Sequence, residues 1–174
     1  MSRPDDTGVT IRRAEQKDAA LLAALAREIW TEHYTPIIGA AQVEYMLGEF
    51  QSEAAIRRDI AQGYVYDIAY VNRDACGYSA TRNDGESHFL SKLYVRKDCR
   101  GRGIARMLVN RAVQRAREAG AKTLRLTCNK HNAGSLAAYA RLGFAIVGEC
   151  VTPIGSGFVM DDYILEKSFS SADC

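Results

Sequence analysis

Two arginines and two glycines stand together in Arg100-Gly101-Arg102-Gly103-Ile104-Ala105. Their types and spacing suit the holding of an anion. The stretch follows Leu93-Tyr94-Val95, which reads as a strand end. It precedes Ile104, Leu108, Ala112 and Ala116, apolar residues at helical spacing. A helix that starts here leaves its first N–H groups without helical acceptors. Its aligned peptide dipoles add partial positive charge at the same end. Glycines let a bulky anion approach the backbone closely. A phosphate or pyrophosphate group is therefore the expected ligand.

Three glycine-loop chemistries compete for this stretch. A Walker-type loop requires G-x-x-x-x-G-K-[ST], which the chain lacks. A dinucleotide fingerprint requires a third glycine where Arg106 stands, and its strand would open a βαβ unit rather than close a meander. The third fits by resemblance: Arg100 to Ala105 is similar to the [QR]-x-x-G-x-[GA] pyrophosphate loop of the GNAT superfamily. In this reading the backbone amides of Gly101 to Ala105 carry the contact. Arg100, Arg102 and Arg106 add charge-assisted bonds or stand solvated.

The elements that must position this loop follow from composition and pattern. The 174 residues predict one domain spanning 1–174. The chain is 47% hydrophobic and 25% charged, which suits a globular protein with a sizeable core. A net charge of +2 gives no ground for nucleic-acid binding, although basic residues crowd between Arg96 and Arg117. Five cysteines without a C-x-x-C pair suit a reducing cytoplasm, not a disulfide framework or zinc site. His33, His88 and His131 have no metal-ligand spacing, so no metal is expected. No apolar signal core opens the chain, and no run of about 18 apolar residues predicts a membrane span.

Past a loose leader to about Gly8, a short strand is predicted over Val9–Arg13 and a helix over Ala14–Thr31, with Asp18 as a possible cap and Pro36 interrupting the pattern. Helices follow at Ala41–Phe50 and Ser52–Gln62. Strands at Tyr64–Val71, Ala75–Arg82 and His88–Val95 form an antiparallel meander. Then come helix Gly103–Ala119, strand Thr123–Cys128, helix Ala133–Leu142 and strands Phe144–Cys150 and Gly157–Leu165. A loop with Pro153 and Gly155 joins the last two, and a polar tail follows Phe169. This order predicts a mixed α/β fold with a partly antiparallel sheet.

The loop has a partner motif downstream: Asn129-Lys130-His131-Asn132, then Ala138-Tyr139-Ala140-Arg141-Leu142-Gly143-Phe144. Together the two motifs resemble the signatures of the GNAT superfamily of acetyl-CoA-dependent N-acetyltransferases. The resemblance runs from about Val9 to Leu165. It implies a central sheet of about seven strands flanked by helices, splayed between the fourth and fifth strands. It implies acetyl-CoA as co-substrate. The backbone of Leu93, Tyr94 and Val95 would pair with the pantetheine arm, and Asn132 would bind CoA unless it serves only as a helix cap.

Acetyl transfer to an amine requires two proton movements. An amine with a pKa near ~10 must lose its proton, and the departing thiolate is best protonated. The resemblance makes Tyr139 the general acid. Many family members carry a Glu in the fourth strand as base; His88 to Val95 contains no acid. Glu86 and His88 remain as base candidates, and a water chain would also serve.

The segments Ile29–Gly39 and Gly155–Tyr163 resemble bacterial relatives of spermidine/spermine N-acetyltransferases. A polyamine is a flexible polycation that carboxylates and aromatic faces can hold. Glu32, Tyr34, Glu44, Asp161 and Asp162 supply such groups. Protein N-terminal amines, other small amines, and a non-catalytic acetyl-CoA-binding module are the alternatives. The resemblance also implies a possible homodimer.

Overall fold

The computed structural model describes residues 8–169. The leader before Gly8 and the tail after Phe169 lie outside the described residues. The chain order is β1 (Val9–Arg13), α1 (Ala19–Ile38), α2 (Ala40–Phe50), α3 (Glu53–Ala61), β2 (Val65–Val71), β3 (Asp74–Asp84), β4 (Ser87–Val95), α4 (Ile104–Glu118), β5 (Thr123–Asn129), α5 (Ala133–Arg141), β6 (Ala145–Gly155) and β7 (Phe158–Ser168). The strands form one seven-stranded sheet in the order β1-β2-β3-β4-β5-β7-β6. β4 and β5 run parallel, paired from Ser87↔Thr123 to Phe89↔Arg125, and the pairing stops there. β4 continues six residues beyond, from Leu90 to Val95. This is the mixed sheet the sequence predicts.

Two compact units make up the chain: residues up to Thr81 with Lys92–Leu108, and Arg82–Ser91 with Val109 onward. In the first, β2 pairs antiparallel with both β1 and β3, and β2, β3 and β4 lie side by side in the sheet in chain order, as the predicted meander requires. Asn72 and Arg73 turn between β2 and β3 at φ of 49° and 72°, the left-handed pair that a two-residue hairpin requires. α1 buries Leu22, Leu25, Ala26, Ile29 and Trp30 along one stripe.

Two sequence expectations change here. Asp18 does not cap α1 with its side chain. Its carboxylate instead takes the Glu15 N–H at 2.8 Å and both guanidinium nitrogens of Arg12. Arg12 holds that carboxyl down to about 2. Pro36 does not end the helix either: α1 runs through it to Ile38. The proline forfeits one bond near the helix end, while the Gly39 N–H still reaches Thr35 O at 3.0 Å.

In the second unit, β5 pairs antiparallel with β7, and β7 with the edge strand β6. The loop predicted around Pro153 and Gly155 is strand. Pro153 is tolerated because β6 is an edge, with a register shift beside it, and the reversal is made by Ser156 and Gly157. α5 is capped by Asn132, whose side-chain oxygen accepts the Ser135 N–H at 3.3 Å.

Candidate active site

The glycine loop is shaped by its own backbone. Gly101 and Gly103 have φ of 80° and 77°, in the left-handed region that favours glycine. A Cβ placed on either would meet nothing within 4 Å, so the loop opens onto unfilled space. Gly103 O accepts the Met107 N–H at 3.0 Å, the first bond of α4. The N–H groups of Ile104, Ala105 and Arg106 therefore precede any helical acceptor. Buried Ile104 and Leu108 pin this helix start in a core with Val9, Ala69, Cys76 and Cys99. Arg102 and Arg106 are exposed. Arg100 folds back, its Nε donating to Val95 O at 3.2 Å.

The strand end before the loop is held from both faces. Leu93 and Val95 pack against the core that contains Ile104 and Leu108. The Tyr94 ring meets Trp30 of α1 at 5.4 Å. Gly77 of β3 admits the close approach of this segment: a Cβ there would lie 2.8 Å from Tyr94 O. Tyr34 stacks on Trp30 at 4.3 Å. Beside this aromatic group is a pocket of about 410 Å³ lined by Glu28, Ile29 and Glu32 of α1 and by Arg96, Lys97 and Asp98 before the loop. Arg96 pairs with Glu28 at 3.3 Å and Asp98 at 2.8 Å, and Lys97 with Glu32 at 3.8 Å. The first unit thus contains the loop, the strand end, Glu32 and Tyr34.

The other predicted residues lie in the second unit. Tyr139 is half-buried in α5, its ring edge-on to Phe144 at 5.7 Å. Asn132 is buried and caps α5. Glu86 is exposed in the turn before β4, its carbonyl taking the Lys122 N–H at 3.1 Å. His88 is 3% exposed, and neither ring nitrogen has a hydrogen-bond partner. Burial, aided by the charge of Arg115, lowers its pKa and keeps it neutral. It lies where β4 and β5 are still paired, opposite Leu124, and packs as a core residue.

Asp161 and Asp162 are neighbours on β7, so their side chains alternate between sheet faces. Asp161 bonds Lys130 at 3.0 Å, and Lys130 also takes Glu149 at 2.9 Å. Asp162 is 3% exposed, and burial, with the nearby charge of Asp161, pushes it up to about 6. The acid pair that looked joint in the sequence is one carboxylate already neutralised and one enclosed. Glu44 is likewise paired, with Arg27 at 2.9 Å.

Sequence reasoning missed two charged groups. Lys130 stands inside the second motif and consumes Asp161. Lys92 lies on β4 in a buried register, bonded to Asp59, Tyr66 and Phe50 O. A lysine at an inward position of a strand was the available signal for Lys92.

The profile of the Acetyltransferase (GNAT) family matches residues 22–144, most of the chain. The chain belongs to that family. Among curated relatives, it is 45% identical over 56 residues to "N-alpha-acetyltransferase MAK3" of Arabidopsis thaliana, covering 32% of this chain and 30% of that protein. The chain thus spans about 30% of the length of the curated relatives it matches. Among solved structures, the PaiA N-acetyltransferase of Thermoplasma acidophilum, in complex with coenzyme A, superposes at a TM-score of 0.79 with 20% identity, over 92% of this chain and 99% of that one. YncA of Salmonella typhimurium, a putative acetyltransferase with acetyl-CoA, does so at 0.62 with 18% identity, over 96% and 97%. These structures share the fold. No helix among the described residues is long and apolar enough to cross a membrane.

Proposed function

We propose that this protein transfers the acetyl group of acetyl-CoA directly to a primary amine. The observation that carries the reading is the loop itself: two left-handed glycines, open space beside them, and a helix start whose first amides precede any helical acceptor. Residues 101–105 would hold the pyrophosphate through backbone N–H groups. The backbone of Leu93 to Val95 would pair with the pantetheine amides. The neutral amine attacks the thioester carbonyl, the C–S bond breaks, the thiolate takes a proton from the Tyr139 hydroxyl, and the acylated nitrogen sheds its extra proton to water, which reprotonates Tyr139. An acetamide and CoA thiol leave. Alignment of amine and thioester supplies several kcal/mol of the barrier reduction, on the order of the proximity effects known for bound reactants.

For the base, the enclosed, neutral His88 and the exposed Glu86 do not favour a direct side-chain acceptor. Proton loss to water is the simpler reading. Asn132 would then order the motif around Tyr139 as a cap rather than hold CoA through its side chain.

A polyamine such as spermidine is the proposed acceptor class. Glu32 beside a pocket and the Tyr34 ring on Trp30 support it, because a carboxylate and aromatic faces suit an alkylammonium. Asp161 contributes to it only if Lys130 yields its partner, and Asp162 only if the acceptor reaches its enclosed carboxyl. The second reading, a protein N-terminal amine, is favoured by the local identity to the N-alpha-acetyltransferase relative. We place the protein in the cytoplasm, where the free thiols of Cys76, Cys99, Cys128 and Cys150 persist, with a homodimer as its assembly.

The test is an acetylation screen over polyamines, amino acids, aminoglycosides and N-terminal peptides, reading thiol release. Turnover with spermidine above the rest supports the polyamine reading. Preference for peptides selects the second. Acetyl-CoA binding without turnover on any amine leaves a binding module.

A further inference from the structure

Lys92 and Tyr94 alternate along β4 with Leu93 and Val95. Leu93 and Val95 pack toward the start of α4, the donor side of the proposed reaction. Tyr94 meets Trp30 and Tyr34 of α1. Lys92 reaches the far end of α2. Its Nζ donates to Phe50 O at 2.7 Å, Tyr66 Oη at 2.6 Å and Asp59 Oδ2 at 3.1 Å. An ammonium has three hydrogens, and all three are used. Tyr66 Oη in turn donates to the same Asp59 oxygen at 2.7 Å. Phe50 is the last residue of α2, and the next side chain, Gln51, accepts from Tyr78 Oη at 3.0 Å. Lys92, Gln51 and Tyr66 are buried, at 8%, 3% and 0% exposure, while Asp59 is half-buried and Phe50 lies at the surface.

Apolar side chains would fasten a helix end to a sheet with less desolvation cost than a buried ion pair. A buried pair satisfied in one geometry sets a direction and a distance instead. α2 packs on α1, where Arg27 and Glu44 also join the two helices. We propose that Lys92 is a positioning residue: with Asp59 and Tyr66 it sets where α2, and with it the Glu32–Tyr34 segment of α1, stands on the donor strand. This rests on the reading that α1 carries acceptor contacts and β4 receives the pantetheine arm. The family's missing β4 carboxylate does not enter it.

The test compares wild type with the double variant Lys92→Met/Asp59→Asn, which removes both charges and leaves none buried alone. Tyr66→Phe, which deletes one hydroxyl, is the milder second variant. Acetyl-CoA affinity is read by calorimetry, acceptor KM by thiol release, and amide exchange across residues 40–50 by mass spectrometry. In the double variant, acetyl-CoA Kd stays within about twofold, acceptor KM rises at least about tenfold, and exchange in 40–50 speeds at least about tenfold. Tyr66→Phe shifts acceptor KM by about threefold in the same direction. An unchanged acceptor KM, or parallel weakening of KM and acetyl-CoA Kd, overturns the proposal. If wild type acetylates no amine, the functional reading has failed by itself. Amide exchange then still decides the clamp, and unchanged exchange in the double variant overturns it.

Discussion

The glycine loop and the acid pair of β7 are opposites in how they present charge. The loop offers backbone amides whose surroundings are open and whose helix supplies no acceptor. Asp161 and Asp162 offer full charges, yet one is spent on Lys130 and the other is enclosed. A backbone at a helix start stays available because nothing local can satisfy it. A surface carboxylate on a sheet finds a lysine as readily as a ligand. Apparent charge in a sequence therefore says less about which groups stay open in the fold than the start of a helix does.

The largest expected effect would come from closing the loop. Gly103→Val places a β-branched residue at a φ of 77° and fills the open space, so acetyl-CoA binding by calorimetry should fall at least about 100-fold. Retained affinity would remove the loop from the comparison. Tyr139→Phe comes next: kcat falls about 100-fold while acetyl-CoA Kd holds, in line with loss of a general acid. Equal turnover would show that thiolate leaves unaided.

On the other side of the comparison, Asp162→Asn should act on stability. The group's folded pKa, about 6, lies above its ordinary 3.8. Its neutral form favours the fold below pH ~4, and that contribution is lost as pH rises through about 6. Between pH 4 and 7 the variant should gain on wild type by on the order of 3 kcal/mol in urea unfolding. A constant difference across that range would mean Asp162 finds compensation when ionised. His88 has the reverse sign. Its pKa is lowered, so its contribution is present above pH ~6.5 and lost as pH falls through the folded value. His88→Leu should flatten that acid limb and leave kcat within about twofold; a 100-fold loss would restore the imidazole as base. The smallest effects concern the acceptor. Glu32→Gln should raise spermidine KM about fivefold and Asp161→Asn less than about threefold, as expected for exposed charges. The reverse order would move the acceptor site to β7.

Most of the element order was readable because apolar spacing and glycine stops are local signals. β4 shows where that reading ends. Its strand character is plain from Phe89, Leu90, Leu93, Tyr94 and Val95, but the partner of Lys92 lies on α3, thirty-three residues away. Pro36 misled for a related reason: a proline's cost depends on how much helix remains after it, and only the folded chain reveals that Gly39 stops α1. Pro153 misled because an edge strand tolerates it, and edge position is a property of the sheet.

By itself, then, the sequence determined the glycine loop at the start of α4, because a glycine's left-handed freedom and a helix's open N–H groups follow from a few adjacent residues. Tertiary structure decided which charges remain usable. Asp161, Asp162, His88 and Lys92 look alike on the page, as polar residues in strands. Packing gave one a lysine, enclosed two, and set the fourth at the centre of a buried network. An ionisable side chain is worth what its surroundings leave it, and those surroundings come from residues distant in the chain.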